Sequence, residues 1–292
     1  MQFYIVDVFA EEKYAGNQLA VVRGAADLST KQMQQIAREI NYSETAFIPS
    51  ERVENGGYPV RIFTPQQELP FAGHPTLGTA FILQQEVIGK PIEAVVLNLK
   101  VGQIPVTLSY QDQQIDLLWM RQNPPVFGQQ FDRETIAPIL ALNVDELDDR
   151  YPIQEVSTGL PFIIVPLKKQ RSLQQSKINR EKLFELIATT EAQAILVFCP
   201  ETYHVENQLC VRVFVDGLGI PEDPATGSAN GCLAGYLVQY KYFGDSPVDV
   251  RVEQGYEMGR PSLLLLKAQK KDTTIEISVG GHVVMVAKGE FV

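Results

Sequence analysis

The sequence predicts an α+β protein made of two similar halves. The chain has 292 residues, which suits about two domains. Hydrophobic residues make up 45% and charged residues 21%, as in folded globular proteins and unlike disordered or fibrous chains. The third observation is an internal repeat at about half the chain length. Only two copies are present, so the repeat indicates a duplicated domain and not a solenoid.

Three pairs of segments form the repeat. The segments follow the same order in both halves, and the offset between the two members of a pair is nearly constant. The pairs are residues 16–22 with 159–165, residues 53–63 with 205–214, and residues 74–80 with 223–229. We place the first half at residues 1–123 and the second at 124–282. The border lies in the segment 121–128, which is rich in Pro and polar residues.

The first half reads as mostly antiparallel strands with two helices. Ser29 and Gln32 form a capping-box pattern, and an apolar stripe follows at Met33, Ile36, Ala37 and Ile40. A second helix of small residues is predicted at 76–83. The predicted strands are 3–9, 19–22, 45–48, a segment ending at Phe63, 95–100, 104–109 and 115–120.

The second half repeats this order of elements. Asn179 is the expected cap of a helix whose apolar stripe is Leu183, Leu186 and Ile187, and the small-residue helix is predicted at 225–240. An additional helix at 133–142, capped by Asp132, has no counterpart in the first half. The predicted strands are 154–157, 162–165, 195–198, a segment ending at Phe214, 248–253, 262–267, 274–278 and 283–287.

Net charge, missing motifs and the positions of His and Cys exclude several classes of protein. With 35 acidic and 25 basic residues the net charge is −10, which disfavours nucleic-acid binding. The sequence shows no signal peptide, membrane span, C-x-x-C motif or nucleotide-binding glycine motif. The three His are far apart, so we expect no metal site. The three unpaired-looking Cys indicate a reducing compartment, and we expect a cytoplasmic location.

The repeated segments that contain His74 and Asp223 are candidates for chemistry. In each, a Pro and small residues precede a helix, whose free N–H groups and positive dipole end suit a carboxylate. Both segments can also be ordinary helix caps. Glu44 lies where a helix ends and an apolar strand begins, so it is either partly buried, with a raised pKa suited to proton transfer, or exposed in a turn.

The chain resembles the PhzF-like (phenazine-biosynthesis isomerase) family in stretches that follow the family's order. These are V-D-V-F at 6–9 with G-N at 16–17, N-Y-S-E-T-A-F at 41–47, F-T-P at 63–65 with E-L-P-F-A-G-H-P-T-L-G at 68–78, D-P-A-T-G-S-A at 223–229 and Q-G-Y-E-M-G-R-P-S at 254–262. The resemblance implies a diaminopimelate-epimerase fold, in which each half is a β-barrel-like sheet around a central helix and the site lies between the halves. It also implies that residues 283–292 return to the first half, that the helices starting at His74 and Asp223 are buried, and that the protein is a homodimer.

The resemblance also assigns the site residues. Cofactor-independent epimerases of this fold use two Cys at the starts of the two helices, and neither motif of this chain contains a Cys, which excludes that mechanism. The family's proton-shuttling Glu corresponds to Glu44, with His74 and Asp223 as the other catalytic positions. The matching substrate-binding positions are Gly73, Gly227 and Ser228, and Asn17 is a weaker candidate.

We therefore expect a cofactor-free isomerase that moves a proton on a small carboxylate-bearing substrate. Two alternatives stay open. One is an epimerase or racemase with Glu44 and Asp223 on opposite faces of a single stereocentre. The other is a binding protein that keeps the fold without turnover. The sequence does not identify the substrate or its pathway.

Overall fold

The computed structural model describes all 292 residues and confirms the α+β class. The chain divides into two compact units. Unit 1 comprises Met1–Arg121 together with Gly280–Val292, and unit 2 comprises Gln122–Val279. No helix is both long and apolar enough to cross a membrane.

Unit 1 contains a six-stranded sheet, the first sheet, with the strand order β19-β1-β2-β3-β5-β6. The remaining strands of unit 1 lie side by side in the order β4-β7-β8-β9. In the first sheet β1 pairs antiparallel with β2 and β19, whereas β2 and β3 are parallel. The strands are β1 (Gln2–Val8), β2 (Asn17–Arg23), β3 (Glu44–Ile48), β4 (Tyr58–Pro59), β5 (Arg61–Phe63), β6 (Glu68–Leu69), β7 (Ala94–Leu99), β8 (Gly102–Gln111), β9 (Gln114–Gln122) and β19 (Val283–Glu290).

Helix α1 (Thr30–Ile40) covers one face of the first sheet. The predicted capping box is confirmed, since the Ser29 side chain accepts from the backbone N–H of Gln32 and the Gln32 side chain bonds the Ser29 backbone. Met33 is buried against Phe47 of β3. The helix ends at Asn41, whose left-handed backbone turns the chain into β3.

Helix α2 (Gly73–Leu83) is buried along its whole length and contacts β1 and β2. It continues into a short π-helical segment, Gln84–Ile88. A glycine allows the close approach of this helix, because a Cβ at Gly78 would lie 2.5 Å from Leu19 Cδ2 and 3.0 Å from Val8 Cγ2. The absence of a side chain at Gly78 therefore sets how closely the helix lies on the sheet.

Gly78→Ala is expected to lower the free energy of unfolding by about 1 kcal/mol. Overpacking costs about 1–3 kcal/mol, and the better helix propensity of Ala returns about 1 kcal/mol. Urea denaturation measures the change. In a Leu19→Ala background the added methyl group has more room, so the same substitution should lower the free energy of unfolding by less. An equal cost in both backgrounds would contradict the steric explanation.

Unit 2 is built on one sheet in the order β10-β11-β12-β13-β14-β16-β17-β18, with β15 paired to β14. The pairs β12–β13 and β14–β16 are parallel. The strands are β10 (Val126–Phe131), β11 (Ile153–Ser157), β12 (Pro161–Pro166), β13 (Ile195–Cys199), β14 (Leu209–Phe214), β15 (Glu222–Asp223), β16 (Val248–Gln254), β17 (Ser262–Lys271) and β18 (Thr274–Gly281).

Four helices belong to unit 2: α3 (Arg133–Ile136), α4 (Gln170–Gln175), α5 (Arg180–Ile187) and α6 (Gly227–Gln239). The predicted Asn179 cap is confirmed, because its side chain accepts from the N–H of Lys182. The predicted helix over 133–142 is wrong in length. Pro138 has no N–H to continue the ladder beyond Ile136, and only turns follow.

The two small-residue helices, α2 and α6, are the buried helices of their units. The expected burial of the two helices is confirmed, and their buried residues include Leu77, Ala80, Phe81, Ala229, Leu233, Ala234 and Leu237. Helix α6 contacts β11, β12 and β17 of its own unit.

Candidate active site

Glu44 is the first residue of β3 and lies on the sheet face opposite to α1. Side chains alternate along a strand, so Glu44 and Ala46 share one face and Phe47, which packs against Met33 of α1, lies on the other. The Glu44 side chain is 17% exposed. It is therefore partly buried, as the first of the two sequence interpretations requires, and is not an exposed turn residue.

His74 is the second residue of α2, and the structure brings it to Glu44. Its Nε2 lies 3.4 Å from Glu44 Oε2, and its side chain is 6% exposed. Burial lowers the pKa of His74 to about 3, and a hydrogen bond with the backbone of Gln18 only partly opposes this shift. The ring is therefore neutral at pH 7.

The hydrogen-bond pattern defines which ring nitrogen of His74 faces Glu44. The bond with Gln18 favours the protonated ring, so a ring N–H donates to the Gln18 carbonyl. Nε2 makes no hydrogen bond, so the donor is Nδ1. In the neutral ring Nε2 then carries a lone pair, and that lone pair lies beside the Glu44 carboxyl group.

Asn17 and Gly73 lie on the same side of the first sheet. Asn17 is the first residue of β2, is buried, and shares a face with Leu19, whose side chain approaches α2. Leu19 is in register with Glu44 across the parallel pair. Gly73 begins α2, and no side chain caps this helix at Ala72, so the N–H groups of its first turn lack a side-chain acceptor there.

Asp223, Gly227 and Ser228 belong to unit 2. The expectation that a helix starts at Asp223 is wrong, because α6 begins at Gly227 and Asp223 lies in β15, in register with Val213. This pairing keeps the backbone of Asp223 extended. Gly227 and Ser228 are the first two residues of α6, which also has no side-chain cap.

Equivalent arginines of the two halves make equivalent ion pairs. Arg61 donates from Nε and Nη2 to Glu68 at 2.7 and 2.8 Å, and Arg212 donates in the same way to Glu222 at 2.9 Å for each bond. Glu222 directly precedes Asp223. Bidentate pairs of this kind fix geometry as well as charge, so Arg212 anchors the strand that carries Asp223.

Two further residues, Thr226 and Gln254, contact Asp223, and neither is predicted as a site residue from the sequence. The Thr226 hydroxyl donates to Asp223 Oδ2 at 2.5 Å, and Gln254 Nε2 donates to the Asp223 carbonyl at 2.7 Å. Thr226 stands inside the D-P-A-T-G-S-A motif and Gln254 opens the Q-G-Y-E-M-G-R-P-S motif. The two motifs mark these residues in the sequence, but neither motif shows which group the side chain of Thr226 or Gln254 contacts.

The thiols have no features of catalytic groups. Cys232 lies inside α6 and is buried, and burial raises the pKa of its thiol to about 12. The other two, Cys199 and Cys210, are also buried, and burial raises their pKa values. No group of three or more His, Cys, Asp and Glu side chains is arranged to hold a metal ion.

Comparison with known proteins gives consistent similarities. The sequence profile of the family described as phenazine biosynthesis-like protein (PhzC-PhzF) matches residues 6–289. The chain is 32% identical to a trans-2,3-dihydro-3-hydroxyanthranilate isomerase of Pseudomonas aeruginosa, covering 96% of each chain. A crystal structure of a PhzF-family phenazine biosynthesis protein from Bacillus anthracis is similar with a TM-score of 0.91, 28% identity, and coverage of 100% of this chain and 99% of that one.

A more distant structure shares the fold alone. The probable proline racemase of Agrobacterium radiobacter K84 matches with a TM-score of 0.64 and 10% identity, covering 100% of this chain and 92% of its own. This similarity agrees with the epimerase-like fold expected from the sequence.

Proposed function

The chain belongs to the PhzF family of phenazine biosynthesis-like isomerases, and we propose that it moves a proton on a small carboxylate-bearing substrate without a cofactor. The observation that carries this proposal is the pair of Glu44 and His74, a carboxyl group and a neutral imidazole 3.4 Å apart at the start of a buried helix. A positioned carboxylate of this kind is a usual general base for removing a proton from carbon.

In the proposed reaction Glu44 takes a proton from one carbon of the substrate and returns it to another. The low pKa of His74 makes its ring a poor proton acceptor at neutral pH. His74 therefore holds the substrate as a neutral group whose Nε2 accepts a hydrogen bond, and Glu44 carries the proton. The single Glu then shuttles one proton, which is the balance that an isomerisation requires.

The substrate carboxylate is assigned to the helix starts. Helices α2 and α6 both begin without a side-chain cap, so N–H groups near Gly73 and Gly227 are available to an anion, together with the Ser228 hydroxyl. The positive ends of the helix dipoles provide the local field that a chain with a net charge of −10 otherwise lacks. Asn17 is a further polar contact in this proposal.

Asp223 is proposed as a further catalytic position that holds and polarises the substrate. Its support is its equivalence to His74 in the internal repeat and its position just before α6. We also propose that the protein works as a cytoplasmic homodimer. The buried, unpaired state of all three Cys supports a reducing compartment, and the family resemblance supports the dimer.

The function is tested by incubating the protein in D₂O with trans-2,3-dihydro-3-hydroxyanthranilate, the compound in the relative's name, and with a panel of small carboxylic acids. We expect ¹H NMR to show a protein-dependent isomerisation with deuterium incorporated at carbon, because the proton held by the partly exposed Glu44 exchanges with solvent before the return step. Deuterium at an inverted stereocentre of an otherwise unchanged skeleton would indicate an epimerase. Tight binding of a panel acid without any exchange would indicate a binding protein.

A further inference from the structure

Thr226 uses its hydroxyl in an unusual way for a residue that begins a helix. It is the N-cap residue of α6, where a Thr side chain normally accepts a hydrogen bond from the first helical turn. Here the hydroxyl makes no such bond and donates instead to Asp223 Oδ2 at 2.5 Å. The helix therefore lacks the stabilisation of a capping bond. The hydroxyl instead fixes the orientation of the Asp223 carboxyl group.

Gln254 sets the direction of that hydroxyl. Its Nε2 donates to Thr226 Oγ1 at 3.1 Å and to the Asp223 carbonyl at 2.7 Å. A hydroxyl has one proton, so Thr226 Oγ1 accepts from Gln254 and keeps its own proton for Asp223. The other end of the amide, Gln254 Oε1, accepts from the Thr226 backbone N–H at 3.1 Å and from Asn230 Nδ2 at 2.9 Å.

The side-chain amide of Gln254 cannot flip by half a turn without losing hydrogen bonds. It is 1% exposed, and both donors and both acceptor contacts of the amide are used within one loop and the first turn of α6. Rotating the amide by half a turn would place an oxygen against the Asp223 carbonyl and an N–H₂ group against a backbone N–H. The surrounding groups therefore allow one orientation only.

We propose that Gln254 is a positioning residue for Asp223 and acts through Thr226. This inference rests on the proposed function, because it requires that the orientation of the Asp223 carboxylate affects turnover. It goes beyond that function because it gives Gln254 and Thr226 a role in positioning a catalytic group. Neither residue belongs to the proposed substrate-binding positions. Rigid support of this kind matters because small displacements of a reacting group cost large factors in rate.

The test compares Gln254→Glu and Gln254→Met with Thr226→Val and Thr226→Ser. Glu keeps the two acceptor contacts and loses both donors, whereas Met removes all four, so the failure of one variant to fold leaves the other. We expect kcat to fall about 10- to 100-fold in both Gln254 variants and in Thr226→Val, with KM within about threefold of wild type. Thr226→Ser retains the hydroxyl and should keep kcat within about threefold.

A matched control is Gln154→Glu, since Gln154 is another buried amide of unit 2, bonded to Gly128 and Tyr240. It should leave kcat unchanged. Equal losses in Thr226→Ser and Thr226→Val, or unchanged kcat in folded Gln254 variants, would overturn the proposal.

Crystal structures of the Gln254 variants give a readout that does not need turnover. We expect the Asp223 carboxyl group to rotate away from the wild-type orientation when Gln254 is replaced. An unmoved carboxyl group, still bonded to Thr226, would refute the positioning role. If wild type turns over no probe, the proposed function fails, and these structures still decide whether Gln254 orients Asp223.

Discussion

Replacing Glu44 by Gln is expected to slow deuterium exchange at the reacting carbon by about a thousandfold. The amide has nearly the shape of the carboxyl group but cannot accept a proton from carbon. An amide N–H of the new side chain can donate to His74 Nε2, which lies 3.4 Å from Glu44 Oε2 in the wild-type protein. The local structure should therefore survive, and the loss of rate should reflect the loss of the base.

The measurement is the rate of deuterium incorporation under saturating substrate, followed by NMR. Glu39→Gln is the control, because Glu39 lies exposed on α1 of the same unit and its replacement changes the net charge equally. Substrate affinity should change little in either variant, since the carboxylate contacts are assigned to the helix starts. Wild-type exchange in a folded Glu44→Gln protein would remove Glu44 from the proton transfer.

The second large expected effect concerns stability in acid. Burial lowers the pKa of His74 from 6.5 to about 3, so between these pH values the unfolded chain binds a proton that the native protein does not. Stability must therefore fall as the pH drops from about 6.5 towards about 3. At pH 4.5 the contribution of this one residue is about 3 kcal/mol of lost stability relative to pH 7.5.

His74→Asn should remove this acid sensitivity. The Asn side-chain N–H₂ group can replace Nδ1–H as donor to the Gln18 carbonyl, and Asn does not titrate. Urea denaturation at pH 4.5 and 7.5 measures the free energy of unfolding for both proteins. We expect the pH-dependent loss to be smaller in the variant by about 3 kcal/mol. An equal loss in both proteins would show that the His74 ring titrates normally in the native state.

The sequence predicts the local features of this fold well because they depend on near neighbours. The capping box of Ser29 and Gln32 needs only residues three positions apart, and the buried stripes of α2 and α6 follow from their small and apolar residues. Arg61 and Arg212 stand at equivalent positions of the repeat, so their equivalent ion pairs agree with the duplication that the sequence shows.

Features that depend on distant pairing were not predictable in this way. The contact of Glu44 with His74 requires the parallel register of β2 and β3 and the placement of α2 on that sheet, which no local pattern encodes. The start of α6 was misplaced because the pairing of Asp223 with Val213 competes with helix formation. Gln254 reaches Asp223 only after β16 has joined the sheet beside β14.

The pairing of β19 with β1 has a consequence for the order in which the chain folds during synthesis. Unit 2 is one continuous stretch and can form as soon as it has left the ribosome, whereas unit 1 needs strand Val283–Glu290, which is translated after all of unit 2. Until then the nascent first unit exposes the open backbone edge of β1, with Val6 and Val8 beside it. The half that is translated first is therefore completed last, and its open strand edge is exposed to wrong pairing during that interval.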